Sequence, residues 1–147
     1  IHAHPELSFQ EHRTCQYLAE VLTGWGVPFE QKGETGLVAY LCGEQPDAAI
    51  VALRADMDAL PIQEANDVPY ASQNDGTMHA CGHDVHTSAM LGVVHILHKH
   101  PDAFKGTFKV LFQPGEEQAP GGANLMIRDG VLQNPTPQVI MGQHVHP

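Results

Sequence analysis

Ala49-Ile50-Val51-Ala52-Leu53 runs directly into Arg54-Ala55-Asp56-Met57-Asp58-Ala59-Leu60-Pro61. An apolar run without alternation describes a strand covered on both faces, as in the interior of an α/β sheet. The polar residues that follow then mark the strand's carboxyl end, the edge at which open α/β sheets keep their ligands. Two later segments repeat the pattern. Thr107 to Phe112 leads into Pro114-Gly115-Glu116-Glu117, and Val139 to Met141 leads into Gly142-Gln143-His144. The expectation is an α/β fold in which three strand ends present Asp56/Asp58, Glu116/Glu117 and His144 at one place.

A fourth polar group falls between the first two strands. His79-Ala80-Cys81-Gly82-His83-Asp84-Val85-His86 gathers a thiol, three imidazoles and a carboxylate around one glycine. Burying so many polar groups unpaired would be costly, and a divalent cation would pair them. The periodicity then turns helical from about Asp84 to His98, with Met90, Val93, Val94 and Leu97 on one face, and Pro101 ends it. His95, His98 and His100 fall in the last turns, where exposed imidazolium suits the helix dipole.

Upstream, Ser8-Phe9-Gln10-Glu11 has the form of a capping box, predicting a helix to about Leu22 with Tyr17, Leu18, Val21 and Leu22 on one face. Gly24 and Gly26 stop it. Val27 to Gln31 and Leu37 to Leu41 read as two strands joined by a turn. Gln63 to Met78 is loop-like. Gly121-Gly122 leads into a short helix over Ala123 to Arg128, with Gly130 as its stop.

Seven basic against seventeen acidic residues give a net charge of −10, which argues against nucleic acid or an anionic membrane as partner. No apolar run approaches the roughly 18 residues of a membrane helix, and no signal segment opens the chain. Cys15, Cys42 and Cys81 are odd in number and far apart, so a disulfide framework is not expected and a reducing cytoplasm is the simplest compartment.

Cys81 and His83, two residues apart, cannot share a face of a regular helix, but a turn at Gly82 can aim both at one point. Thiolate and imidazole suit borderline metals such as zinc, manganese, nickel or cobalt. Of Glu116 and Glu117, one carboxylate can hold metal while the other acts as general base on a water that the metal has acidified. The bland alternative is two carboxylates on a solvated face. Asp56 and Asp58 share one side of an extended strand, and a salt bridge to Arg54 or a turn cap would also account for them. Cys81 as a nucleophile, with His83 or His86 as base, is a competing reading, but it leaves the two glutamates without a role.

Five segments in consistent order now carry a resemblance: HPELSFQE (4–11), RADMDALPIQE (54–64), MHACGHDVHTSAMLG (78–92), FQPGEE (112–117) and GQHVHP (142–147). Together they resemble metallopeptidase family twenty. Within it they are most similar to the amidohydrolase branch of hippurate hydrolases, N-acyl-amino-acid amidohydrolases and auxin-conjugate (IAA-amino acid) hydrolases. The resemblance implies a zinc-peptidase-like mixed sheet with helices on both faces and two divalent metal ions. It implies Cys81, His83, Glu117 and His144 as metal ligands, Cys81 bridging, and Glu116 as general base and acid. Asp58 and His86 would stand behind the ligands. Relatives carry a ligand histidine where this chain has Asp56.

Family members are also longer. Residues 1–147 correspond to the N-terminal part of the catalytic domain, without the lid or dimerisation domain and without a return segment bearing a last histidine ligand. The expected reaction is hydrolysis of the amide of an N-acyl amino acid, hippurate-like or auxin-conjugate-like. The expected partner is that small molecule, with no nucleic acid or membrane, in a parent protein that is a homodimer. A di- or tripeptidase and an inactive metal-binding fragment are the alternatives, and these residues alone are expected to be inactive.

Overall fold

The computed structural model describes residues 1–146; Pro147, the last residue of the 142–147 motif, lies outside them. The chain forms α1 (His12–Trp25), β1 (Phe29–Lys32), β2 (Gly36–Cys42), β3 (Ile50–Asp56), α2 (His83–Lys99), a 3-10 turn (Pro101–Ala103), β4 (Thr107–Gln113), α3 (Gly122–Arg128) and β5 (Val139–Gly142). One sheet takes the order β1-β2-β4-β3-β5. β1 and β2, and β2 and β4, pair antiparallel. β3 pairs parallel with both β4 and β5.

The site follows from this connectivity. β3 crosses through α2 to β4 on one side, and β4 crosses through α3 to β5 on the other. Right-handed crossovers made in opposite directions put their helices on opposite faces. The core divides accordingly. Leu18 and Leu22 of α1 and Met90, Leu91 and Val94 of α2 pack with Leu37, Ala39, Val110 and Phe112 on one face. Met126 of α3 packs with Val38, Ala52 and Leu111 on the other. The mixed sheet with helices on both faces is therefore observed. The carboxyl ends of β3, β4 and β5 lie along one edge, with Asp56 level with Gln113 and Arg54 level with Gly142.

Two helix faces differ from the expected ones. Tyr17 and Val93 are exposed, and Leu91 is buried. The buried faces are Thr14, Cys15, Leu18 and Leu22 in α1 and His83, Asp84, His86, Thr87, Met90, Leu91 and Val94 in α2. His95 is half-buried rather than exposed, its ring 4.7 Å from that of Trp25. No helix among the described residues is long and apolar enough to cross a membrane, and all three cysteines are free.

The capping box does not form. Phe9 takes a left-handed φ of 66°, and Ser8 and Glu11 turn away from the helix start. Glu6 caps α1 instead: its carboxylate accepts from the backbone N–H of Arg13 (3.0 Å) and of Thr14 (2.8 Å) and from the Thr14 hydroxyl (2.8 Å). A carboxylate there satisfies orphan amides and opposes the positive end of the helix dipole. Glu6→Ala should cost about 1 kcal/mol, lowering the thermal midpoint by about 2–4 °C in a circular-dichroism melt. An unchanged midpoint would contradict the cap.

Candidate metal centre

The edge of the sheet places two buried histidines, His83 and His86, beside an exposed one, His144, and their hydrogen bonds distinguish them. His83 opens α2 and is fully buried. Its Nδ1 lies 3.2 Å from Asp58 Oδ1. Burial works to raise the Asp58 carboxyl. Hydrogen bonds from His83, from the Ser8 hydroxyl and from the Glu117 and Glu116 amides outweigh it and bring the pKa down to about 2. Asp58 is thus ionised at neutral pH and can only accept, so His83 carries a proton on Nδ1. Its Nε2 has no hydrogen-bond partner among the described residues and lies 3.8 Å from Glu117 Oε1.

His144 repeats this arrangement from β5. Its Nδ1 is 2.6 Å from the Val145 carbonyl, which can only accept. Its Nε2 is left facing Cys81 Sγ at 3.3 Å. His86 is different. Its Nδ1 donates to Asp56 Oδ1 (2.6 Å), and its Nε2 accepts the Val145 N–H (2.9 Å). Both nitrogens are occupied.

Donor atoms of Cys81, His83 and His144 come within 4.8 Å of one another, as do those of His83, Glu116 and Glu117. Cys81, His83, Glu116, Glu117 and His144 therefore meet, with His83 common to both groups. A third group of the same span joins Asp56, His83 and His86. There Arg54 Nη1 already pairs with Asp56 Oδ2 at 2.7 Å, and His86 has no free nitrogen.

The electrostatics favour a cation. Burial pushes the Cys81 thiol up, and the hydrogen bond to Glu117 and the charges of Glu117, Glu116 and Asp56 add to it, bringing the pKa to about 11. Burial would lower His83, but the Asp58 hydrogen bond and the charges of Asp56, Asp58 and Glu117 raise it instead. Both shifts mark a site short of positive charge, which a divalent ion would supply. A thiol whose pKa is pushed up is a poorer free nucleophile, and His86, one of the two bases that role called on, has both nitrogens occupied. A buried Nε2 without a partner, a thiol and two carboxylates form a donor set that suits a borderline divalent metal.

Ser8 and Glu11, read as a cap from the sequence, belong to this site. Ser8 Oγ donates to Asp58 at 2.6 Å, and Glu117 N–H donates to the same carboxylate at 2.9 Å. Glu11, fully buried, accepts from the N–H of Gly115 (2.7 Å) and of Phe9 (3.0 Å) and from the Thr35 hydroxyl (2.7 Å). It thereby fixes the turn that carries Glu116 and Glu117. Gly115 is required there: a Cβ would lie 2.3 Å from the Phe9 ring. Asp84 also has a partner that spacing did not suggest, since it accepts from His2 Nδ1 at 2.7 Å. His79 is buried among these residues, its pKa brought down to about 4 chiefly by burial.

An α/β sheet with helices on both faces and a thiol–imidazole–carboxylate set at its carboxyl edge defines a class of metallopeptidase-like domain. Residues 52–147 match Peptidase family M20/M25/M40, and the chain belongs to that family. It is 47% identical to the N-acyl-L-amino acid amidohydrolase of Geobacillus stearothermophilus, over 99% of this chain and 39% of that protein. To the N-acetyl-L-cysteine deacetylase of Bacillus subtilis it is 43% identical, over 100% of this chain and 35% of that protein. The solved structure of the Bacillus subtilis YxeP protein, a dinuclear metal-binding peptidase, superposes with a TM-score of 0.92 at 42% identity. That match covers 99% of this chain and 40% of the other. The chain thus spans about two fifths of the length of these relatives.

Asp58→Ala would strand four donors at once: His83 Nδ1, the Ser8 hydroxyl and the Glu117 and Glu116 amides. The unfolding free energy in urea should fall by about 2–4 kcal/mol, since buried donors left unpaired cost about 1–3 kcal/mol each and relax in part. A loss of only a few tenths would contradict the role given to Asp58.

Proposed function

We propose that this chain is the N-terminal part of the catalytic domain of a metal-dependent amidohydrolase that cleaves the amide of N-acyl amino acids. The observation that carries this reading is the buried His83 Nε2, unpaired, and shared by two donor groups, one with Cys81 and His144 and one with Glu116 and Glu117. The named activities of the Geobacillus and Bacillus relatives, an N-acyl-L-amino acid amidohydrolase and an N-acetyl-L-cysteine deacetylase, support the substrate class. Both names describe release of an amino acid from an acyl group.

Cys81, His83, Glu117 and His144 would hold two divalent ions, with zinc, manganese, nickel and cobalt all compatible with the donors. Such ions supply Lewis acidity and bring the pKa of a bound water towards about 7. Asp58 keeps His83 in the tautomer that leaves Nε2 free. The backbone carbonyl of Val145 does the same for His144. Glu116 is exposed beside Glu117 and takes the general-base role: it accepts the proton of the attacking water and returns it to the leaving amino nitrogen. Glu11 serves Glu116 by fixing Gly115.

In the whole protein, Glu116→Gln should retain bound metal and lose about 10²–10⁴-fold in turnover of an N-acyl amino acid such as hippurate. A chelator should abolish wild-type turnover. Activity that survives the chelator, or a Glu116→Gln variant as active as wild type, would contradict the mechanism. The 147 residues alone should show little or no hydrolysis of hippurate. Turnover matching the whole protein would contradict their being one part of the catalytic domain.

A further inference from the structure

We propose that His86, backed by Asp56, is a positioning residue that seats the His144 segment and is not a metal ligand. This inference rests on the metal-centre reading above. His86 is buried and stands one helical turn from His83 on α2, its ring 5.5 Å from that of His83 and 4.6 Å from that of His144. By proximity and residue type it looks like a further ligand. The hydrogen bonds say otherwise. The Val145 N–H can only donate, so the Nε2 it reaches at 2.9 Å carries a lone pair. The neutral ring then bears its proton on Nδ1, where it donates to Asp56 at 2.6 Å.

Asp56 is itself fixed. Arg54 Nη1 lies 2.7 Å from its other carboxylate oxygen, and the Thr87 hydroxyl donates to its backbone carbonyl at 2.7 Å. A chain of contacts therefore runs from the sheet, through Arg54 and Asp56, to His86 and the Val145 amide. His144 is the exposed residue just before that amide. A second device seats the same segment. Gly82, at φ 85°, has no side chain where Val145 packs, and a Cβ would lie 2.4 Å from Val145 Cγ2. Without the His86 acceptor, the last residues after β5 lose the polar tie that holds His144 Nε2 towards Cys81.

Nitrogen NMR of the wild-type protein, before and after loading with ¹¹³Cd²⁺, tests this. His86 should show the tautomer protonated on Nδ1 in both states and no cadmium–nitrogen coupling, while Nε2 of His83 and of His144 couple to cadmium. Coupling at His86, or a proton on its Nε2, would overturn the inference while leaving the metal centre standing. Cadmium that binds nowhere near Cys81 would overturn the metal-centre reading itself, and the inference with it. Two variants supply an independent readout. His86→Leu, which removes the acceptor, should weaken cadmium binding about 10–100-fold in calorimetry. His86→Gln, whose amide oxygen can still accept from Val145, should recover most of that loss. Wild-type affinity in a folded Leu variant would overturn the inference. If the Leu variant fails to fold, the wild-type spectra decide.

Discussion

A buried imidazole with one nitrogen committed and the other unpaired is an expensive thing to fold, and His83 is such an imidazole. Its committed side is Asp58, a carboxylate held ionised by a hydroxyl and two backbone amides drawn from segments far apart in the chain. Its open side faces the thiol, carboxylate and imidazole donors of the neighbouring strand ends. Much of the surrounding structure is a frame for this one ring. The segment before α1 supplies Ser8 and Glu11, β3 leads into Asp58, β4 leads into Glu117, and β5 leads into His144. An uncompensated polar atom at the centre of so many anionic groups is what a cation would satisfy.

The frame depends in turn on the order of strands. β3 lies between β4 and β5, and all three run the same way. Their carboxyl ends therefore open along one edge, with α2 starting there as well. The chain reverses its direction of travel across the sheet at β4, and such reversals leave a crevice outside the strand ends. The imidazoles divide along this edge by their second nitrogens. His83 and His144 each spend Nδ1 on a protein acceptor and turn Nε2 to the donor cluster, unpaired in His83 and against the Cys81 thiol in His144, whereas His86 spends both on Asp56 and the Val145 amide. Residue type alone would not separate them.

How much of this was legible in the sequence follows from the range of each interaction. The three strands and their polar ends were legible because an apolar run and the polarity that follows it are written within a few consecutive residues. So was the cluster around Gly82. Burial on both faces, however, was expected of β5 wrongly: it is the last strand in the sheet order, and Val139, Ile140 and Met141 are exposed. The Ser8–Glu11 segment misled because Ser-x-x-Glu is a local signal for a helix start. Its real partners, Asp58 and Gly115, lie 50 residues from Ser8 and 104 from Glu11. The true cap, Glu6, sits several residues ahead of the helix, outside the usual spacing. Asp56 was left between a salt bridge with Arg54 and a site role. It has the salt bridge, and it also supports His86. The resemblance puts His86 behind the ligands, but what it holds could not be read, since that turns on a backbone amide 59 residues away.

The central claim is that the carboxyl edge of this sheet is built to hold metal through Cys81, His83, Glu117 and His144. Anomalous diffraction from crystals of the metal-loaded protein, recorded at the absorption edge of the bound metal, tests it most directly. The account predicts two peaks at this edge, one bounded by Cys81, His83 and His144 and the other adjoining Glu117. No peak at the edge, or a peak ligated by Asp56 and His86 in place of those residues, would contradict it.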